Sequence, residues 1–253
     1  MLDLGQRLWA IVSDVPAAGY SEEAVRRGLQ NLEWVSRRAM AHEAVIEHFL
    51  SAPAVLPMQL FTLFTSDARV IEYVQRERRR IDRILSRIER QLEWGLRLTF
   101  DEKAARDAVE RAHSPTVRGG GTTRETVRTF KVRQPGAAYL ARKRDLLDVT
   151  RVQLAEARTE ANRLYRALAR QATEARRRSE TEQAAPGSRL LLDAAFLVPA
   201  RRSGSFRSAL RKNARTLDGT GVVVSLTGPW PAYNFIDQRA AVARSRATAR
   251  GAR

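Results

Sequence analysis

The three histidines are the side chains best suited to hold a metal ion or move a proton, but their spacing favours neither role. His42 and His48 lie six residues apart on a predicted helix. They therefore point to different faces, whereas zinc ligands on a helix are four residues apart. His113 lies alone at the edge of a segment rich in Gly, Thr and Arg. The chain has no cysteine, which excludes disulfides and cysteine-based metal sites. We therefore predict no metal site.

Hydroxyl and carboxylate side chains show no catalytic arrangement either. The sequence lacks the Gly-x-Ser-x-Gly turn of many hydrolases. The glycines at 119–121 are not followed by the Gly-Lys-Ser/Thr of a phosphate-binding loop. Asp14, Glu43 and Asp193 lie near apolar runs, but none has a partner in the sequence, and we expect each to be a helix cap, a member of a salt bridge or a solvated residue. We therefore predict that the protein is not an enzyme and binds no cofactor.

Arginine gives the chain a formal net charge of +17. A charge of this size attracts nucleic acid, an anionic surface or an acidic protein. However, Arg is spread over almost every segment, and the aromatic residues that could stack on bases make up only 7% of the chain. We expect no specific nucleic-acid site, but a basic nucleic-acid-binding protein is the alternative function. Binding to duplex DNA that survives about 0.2 M salt would identify it.

The apolar periodicity predicts an α+β fold. Alternating or short apolar runs predict strands at 8–12, 32–36, 54–61 (with an edge or bulge at Pro57), 94–100, 190–199 and 222–227. Apolar steps of three and four residues predict helices from Ser21 onward and at 41–50, 66–92, 101–112, 136–180 and 203–217.

Two segments have a composition that cannot form a core. Residues 113–135 combine three consecutive glycines with Thr, Arg and few apolar side chains, and 237–253 is a basic stretch of Ala, Arg, Ser and Thr. We therefore predict an N-terminal α+β domain at 1–112, a flexible linker or loop at 113–135, a C-terminal α+β domain with a long helix at 136–236, and a mobile tail at 237–253. No apolar run is long enough to span a bilayer, so we expect a soluble cytoplasmic protein.

Two apolar features could bind a partner. Leu140, Leu147 and Leu154 recur every seven residues, a narrow stripe that suits packing within one domain or against a partner helix. Near the C-terminus, Pro229 and Pro231 hold the large ring of Trp230 on a stiff segment. Such a segment either seals a core or presents an anchor to a partner.

The segment Leu226-Thr227-Gly228-Pro229-Trp230-Pro231-Ala232-Tyr233-Asn234-Phe235 closely resembles the Leu-Thr-Gly-Pro-Trp-Pro-Pro-Tyr-x-Phe segment of the gas vesicle protein F/L family. Ala232 replaces the usual second proline. Other motifs follow in the family's order: Trp9-Ala10-Ile11-Val12, His42-Glu43, the Leu-Pro-Met run at 55–64 (with Gln59 and Phe61 as departures), Glu93-Trp94-Gly95, and the Gly-x-x-Tyr-Leu-x-x-Lys opening of a long helix at 136–143. The resemblance covers about residues 7–236.

This resemblance implies two α+β domains with small ferredoxin-like sheets and long helices, including a helical-hairpin or coiled-coil-like region. It also implies an accessory or minor structural protein of gas vesicles, present in the cytoplasm and at the vesicle. Such a protein would bind the small hydrophobic shell protein (GvpA-like) and other accessory proteins, and assist nucleation and assembly. The candidate partner-binding residues are Leu140, Leu147, Leu154, Trp230, Tyr233 and Phe235.

Overall fold

The computed structural model describes residues 1–113, 135–178 and 187–236, without the side chains of 109–113 and 135–148. Most of the predicted linker and the whole predicted tail lie outside these residues. The chain divides into two compact units. We call Met1–Glu93 together with the segment from Pro229 the N-terminal unit, and Trp94–Gly228 the sheet unit.

The N-terminal unit is mainly helical. Strands β1 (Leu2–Asp3) and β2 (Trp9–Ala10) form a short antiparallel hairpin. The helices are α1 (Ala17–Tyr20), α2 (Glu22–Gly28), α3 (Leu32–His48) and α4 (Asp67–Ile88), and a single 3-10 turn at Tyr233–Phe235 follows near the C-terminus. Ser21 caps α2 as predicted, because its side chain accepts a hydrogen bond from the amide of Ala24.

Helix α3 begins where the sequence predicted a strand at 32–36. Asn31 is its N-cap, and the Asn31 side chain accepts a hydrogen bond from the Trp34 amide at 3.0 Å. The cap satisfies a backbone donor that the first turn leaves free. The predicted strand is therefore wrong, since a short apolar run by itself does not distinguish a strand from a helix.

The predicted strand at 54–61 is also wrong, because this stretch has no regular secondary structure. Pro57 has no amide hydrogen to donate to a neighbouring strand. Phe61 has a φ of 66°, in the left-handed region that strands do not use. The apolar residues of this segment thus pack individually instead of pairing in a sheet.

The core of the N-terminal unit joins α4 to the hairpin. Val70, Tyr73 and Val74 of α4 are buried against partly buried side chains of Leu2, Leu4, Leu8 and Ala10. Arg78 extends the contact, donating hydrogen bonds to the Leu4 carbonyl at 3.1 Å and to the Gln6 side chain at 2.9 Å. One arginine of the basic run at 76–80 therefore ties α4 to the hairpin.

The sheet unit contains a four-stranded sheet with helices. Its elements are β3 (Gln91–Asp101), α5 (Glu102–His113), α6 (Pro135–Ala169), β4 (Glu174–Arg177), β5 (Ser188–Pro199), α7 (Ser203–Ala214) and β6 (Val222–Trp230), and the residues 91–93 and 229–230 of these strands belong to the N-terminal unit. The strand order is β4-β5-β3-β6, and β4 and β5 are antiparallel. Apart from the extra helix between β3 and β4, the order of elements is βαββαβ, which with this strand order is ferredoxin-like.

Alternate residues of the inner strands form the core. Side chains from β3, β5, α6, α7 and the 3-10 turn at Arg215–Leu217 meet in one cluster of buried residues: Trp94, Leu96, Leu98, Ala161, Leu164, Leu168, Leu192, Ala194, Phe196, Val198, Phe206, Leu210 and Leu217. The ring of Phe196 lies at its centre, 5.6 Å from the Tyr165 ring and 5.4 Å from the Phe206 ring. The period of two on the strands and of three to four on the helices explains why one face of each element is apolar.

On the face of the sheet opposite the core, Asp193 of β5 connects three segments of the chain. Its carboxylate accepts hydrogen bonds from Arg97 of β3 at 2.8 Å and from the Arg178 Nε, just after β4, at 2.6 Å. Gly95 gives Arg178 the space to lie across β3: a Cβ on Gly95 would be 3.3 Å from the Arg178 guanidinium and 2.6 Å from Thr227 Oγ1. Close packing therefore explains why the Glu-Trp-Gly motif has a glycine at position 95.

The structure confirms the α+β class, the strands β3, β5 and β6, and the helix α5, whose first amides bond to Asp101 as predicted. The predicted helix at 136–180 is too long, because α6 ends at Ala169 and 174–177 is strand β4. Pairing with β5, including a 2.7 Å bond from the Thr173 amide to the Leu197 carbonyl, overrides the local helical preference. The compact units divide before Trp94 instead of at 113–135, because β3 is an inner strand of the sheet.

Candidate protein-binding surface

The described residues show neither a metal cluster nor a membrane span. Within 1–113, 135–178 and 187–236, no group of three or more His, Asp or Glu could hold a metal ion. None of the helices there combines the length and the apolar composition needed to cross a bilayer. The candidate functional sites in these residues are surfaces that could bind a protein.

The leucine stripe of α6 consists of Leu140, Leu147 and Leu154. Leu140 and Leu147 belong to α6, but their side chains are outside the described residues. Leu154 is half-buried and packs against Phe100, Ala105 and Ala157 within the sheet unit. In its described part, the stripe thus packs on its own unit.

The C-terminal aromatic residues are mostly turned inward. Phe235 is only 1% exposed, so in this conformation its ring cannot contact a partner. Tyr233 is half-buried, and Trp230 is half-buried at the end of β6. A partner-binding role for these residues stays a prediction.

Within the N-terminal unit, hydrogen bonds attach the C-terminal segment to Glu43 of α3 and to Glu93. The Tyr233 hydroxyl donates to Glu43 Oε2 of α3 at 2.7 Å. The Asn234 amide donates to Glu93 Oε2 at 2.8 Å, and the Asn234 side-chain amide donates to Glu93 Oε1. Burial, and then the hydrogen bond with Glu43, raise the pKa of Tyr233 above its usual range. The His42-Glu43, Glu93-Trp94-Gly95 and C-terminal motifs are thus joined by hydrogen bonds. We call the hydrogen bonds of Tyr233 with Glu43 and of Asn234 with Glu93 the clasp.

The irregular segment at 54–64 is held against α3 and α4. The Phe61 ring stacks on Trp34 with 5.2 Å between ring centroids, and the Arg38 guanidinium lies 3.7 Å from the Trp34 ring centroid. His42 Nε2 is 3.1 Å from the Met58 carbonyl oxygen, and the Phe64 and Tyr73 rings are 5.5 Å apart. These contacts fix an apolar segment that has no charged residue between 49 and 66.

Exposed apolar side chains are concentrated in the N-terminal unit. Among the described residues, twelve large apolar side chains of this unit are exposed: Met1, Trp9, Ile11, Val12, Val15, Leu29, Leu32, Met40, Val45, Met58, Leu63 and Phe64. The sheet unit has three: Val149, Val152 and Val223. Exposed apolar side chains that adjoin in one patch mark a binding site, whereas isolated ones are ordinary on a protein surface.

Helix α3 carries the most exposed internal positions of this set. Leu32 is 81% exposed and Met40 is 72% exposed. They lie eight residues apart, which places them within about a quarter turn of each other on the helix. We call Leu32 and Met40 the α3 apolar face. Sequence reasoning missed it because it assigned Leu32 to a strand; the Asn31 cap followed by a long helical run was the available signal.

Comparisons with known proteins agree with the motif resemblance. The family model "Gas vesicle synthesis protein GvpL/GvpF" matches residues 5–237. Gas vesicle protein L of Streptomyces sp. (strain CB03234) is 30% identical over 236 residues, which are 90% of this chain and 79% of that protein. Crystal structures of GvpF from Anabaena sp. PCC7120 and Microcystis aeruginosa superpose with TM-scores of 0.53 and 0.51, at 14% and 12% identity. Each covers 79% of this chain and 77% of the crystallised chain, and these two similarities concern the fold alone.

Proposed function

The chain belongs to the gas vesicle GvpL/GvpF family, and we propose that it is an accessory protein that binds the small hydrophobic gas vesicle shell protein through its N-terminal unit. Family membership gives a role related to gas vesicles. The observation that carries the finer proposal is the uneven exposure of apolar side chains, twelve in the N-terminal unit against three in the sheet unit among the described residues.

The proposed partner has the matching chemistry. A shell protein that lines a gas compartment exposes apolar surface until it is incorporated, and exposed apolar surface aggregates. Full burial of a Leu or Met side chain gains about 1.5–3 kcal/mol, part of which offsets the entropy lost on association. The α3 apolar face therefore supplies a useful share of the binding free energy without any charged group.

The rest of the chain suits a protein that holds an aggregating partner. The net charge of +17 opposes self-association and keeps a complex with an apolar protein in solution. The sheet unit buries most of its large apolar residues in its core and so provides a stable base. We infer that the protein acts where vesicles nucleate, delaying aggregation of the shell protein until it is assembled.

The test compares two double variants that each replace two exposed apolar side chains, one pair in each unit. Leu32→Gln with Met40→Gln alters the α3 apolar face, and Val152→Gln with Val223→Gln is the matched control, since these valines are 56% and 54% exposed in the sheet unit. Exposed substitutions of this kind change stability by about 0.5 kcal/mol or less, so both variants should fold.

Purified shell protein, mixed at near-equal molar ratio, is then followed by light scattering and by pull-down. We expect the wild type and the control to delay aggregation, and the α3 variant to bind at least about tenfold more weakly, which corresponds to about 1.4 kcal/mol. Binding should persist in moderate salt and after deletion of the tail beyond Ile236, because the apolar contact does not depend on charge. Equal binding by both variants would remove the α3 face from the proposal. If the wild type does not retain the shell protein, the holding role is refuted and the alternative, a basic nucleic-acid-binding protein, is favoured.

A further inference from the structure

The outer side of helix α6 carries a row of arginines that the core does not use. The core-facing residues of this helix are Ala157, Ala161, Leu164 and Leu168. On the opposite side, an open cavity of about 340 Å³ is lined by Thr159, Asn162, Arg163, Arg166 and Arg170. This spacing of three and four residues places the lining on one face of the helix.

A fourth arginine reaches this face from the neighbouring strand. Arg177 of β4 donates a hydrogen bond to Asn162 Oδ1 at 2.6 Å, and its guanidinium lies 4.5 Å from the Tyr165 ring centroid. These two contacts orient Arg177 beside the cavity without neutralising its charge. We call Arg163, Arg166, Arg170 and Arg177 the arginine face.

The arginine face has little compensating negative charge. Arg163 pairs with Glu160 at 2.8 Å. Within the described part of the chain, Arg166, Arg170 and Arg177 have no carboxylate within ion-pair distance. Protein surfaces usually intersperse the two signs of charge, so three uncompensated guanidinium groups beside one cavity attract an anion.

The surroundings favour carboxylates over nucleic-acid bases. Binding of single strands relies on exposed rings on which bases stack. Among the described residues, the ring at this face is that of Tyr165, which Arg177 covers on one side and which lies 5.6 Å from the buried Phe196 ring. Guanidinium groups pair with carboxylates through two parallel hydrogen bonds, a geometry that a row of arginines on a helix can repeat along an acidic chain.

We propose that the arginine face is a second binding site, which takes an acidic segment of a partner protein rich in Asp or Glu. It is separate in residues and in chemistry from the α3 apolar face. The sheet unit therefore recruits an acidic partner by charge, while the N-terminal unit binds an apolar partner by surface burial. Binding at the arginine face weakens steeply with salt, unlike binding at the α3 face.

The experiment uses the full chain and a fluorescent poly-glutamate peptide as the probe, with a DNA duplex of matched charge as the second probe. Arg166→Gln with Arg170→Gln removes two charges from the face. Arg211→Gln with Arg215→Gln is the matched control, because these two exposed arginines lie at the end of α7, away from the cavity lining. Arg166→Lys with Arg170→Lys keeps the charge but removes the two-bond geometry.

We expect the glutamine variant of the face to bind the peptide at least about tenfold more weakly, the control to change by less than about twofold, and the lysine variant to lie between them. Equal weakening by the face and control variants would overturn the proposal, since it would show that only the total charge matters. Loss of DNA binding without loss of peptide binding would also overturn it, in favour of a nucleic-acid site. Circular dichroism of each variant separates loss of binding from loss of folding.

Discussion

The two units of the molecule differ in how far their large apolar side chains are buried. In the sheet unit, Phe196, Phe206 and Leu168 are fully buried in one cluster that joins two strands and two helices. In the N-terminal unit, the buried cluster around Val70 and Val74 is small, and large apolar side chains such as Leu32 and Met40 are exposed. Burial stabilises a fold and exposure makes surface available to partners, so the comparison assigns stability to one unit and apolar binding to the other.

The comparison also separates the two kinds of surface. The exposed apolar positions lie mainly in the N-terminal unit, whereas the uncompensated arginines of the arginine face lie in the sheet unit. A protein that assembles other proteins can use these surfaces independently, because apolar contacts and charge contacts respond differently to salt.

The largest expected effect tests the core of the sheet unit. Phe196→Ala should lower the free energy of unfolding by about 3–5 kcal/mol, because it leaves a cavity between Tyr165 and Phe206. Phe64→Ala in the N-terminal unit removes an equal ring that is partly in water, and should cost less than half as much. Denaturant unfolding measures both. Equal losses would contradict the assignment of stability to the sheet unit.

A smaller effect tests the close packing over β3. Gly95→Ala should lower the free energy of unfolding by about 1–3 kcal/mol, because the new methyl group would meet Thr227 and the Arg178 guanidinium that pairs with Asp193. Gly204→Ala in α7 is the control: a Cβ there has no atom within 4 Å, so the change should be neutral or stabilising. If thermal melts of the two variants coincide, the packing role of Gly95 is wrong.

The smallest effect concerns the clasp of the N-terminal unit. Tyr233→Phe removes the hydrogen bond to Glu43 and should cost about 1–2 kcal/mol at neutral pH. The raised pKa of Tyr233 means that the folded state holds the phenolic proton more tightly than the unfolded state, whose tyrosines titrate near pH 10. The stabilisation is therefore complete below about pH 10 and is lost as the pH rises above it.

The pH dependence offers a direct check of the clasp. The melting temperature of the wild type should fall more steeply above about pH 10 than that of Tyr233→Phe. The variant should keep a weaker dependence, since burial also raises the pKa of Tyr73 in the same unit. Parallel curves for the two proteins would show that the Tyr233 hydroxyl is not held by Glu43 in solution.

Sequence reasoning succeeded where local pattern and burial agree. Strand β3 reads as partial alternation, β5 as a continuous apolar run and α4 as apolar steps of three and four, and the structure confirms each. It failed where a local signal was ambiguous or was overridden. The run at 32–36 became helix because of the Asn31 cap, and 174–177 became strand because β5 was available to pair with it.

The contacts and the exposure of the candidate binding residues could not be predicted from local sequence patterns either. The motifs around Glu43, Glu93 and Tyr233 were visible in the sequence, but their hydrogen bonds join residues up to 190 positions apart, which no local pattern contains. The α3 apolar face was missed for the opposite reason. An exposed Leu and an exposed Met look, in a sequence, like any residues of a core.

By itself, the sequence determined the α+β class, the absence of cysteine chemistry, the strong positive charge and the ordered motifs of the GvpL/GvpF family. These follow from composition and short-range periodicity, which are properties of the chain before it folds. Only the tertiary structure decided that β3 joins the sheet unit, that Gly95 admits Arg178, and that Leu32 and Met40 remain in water while Phe235 does not. Burial and close contact depend on which distant segments meet, and that is settled by packing and not by local preference.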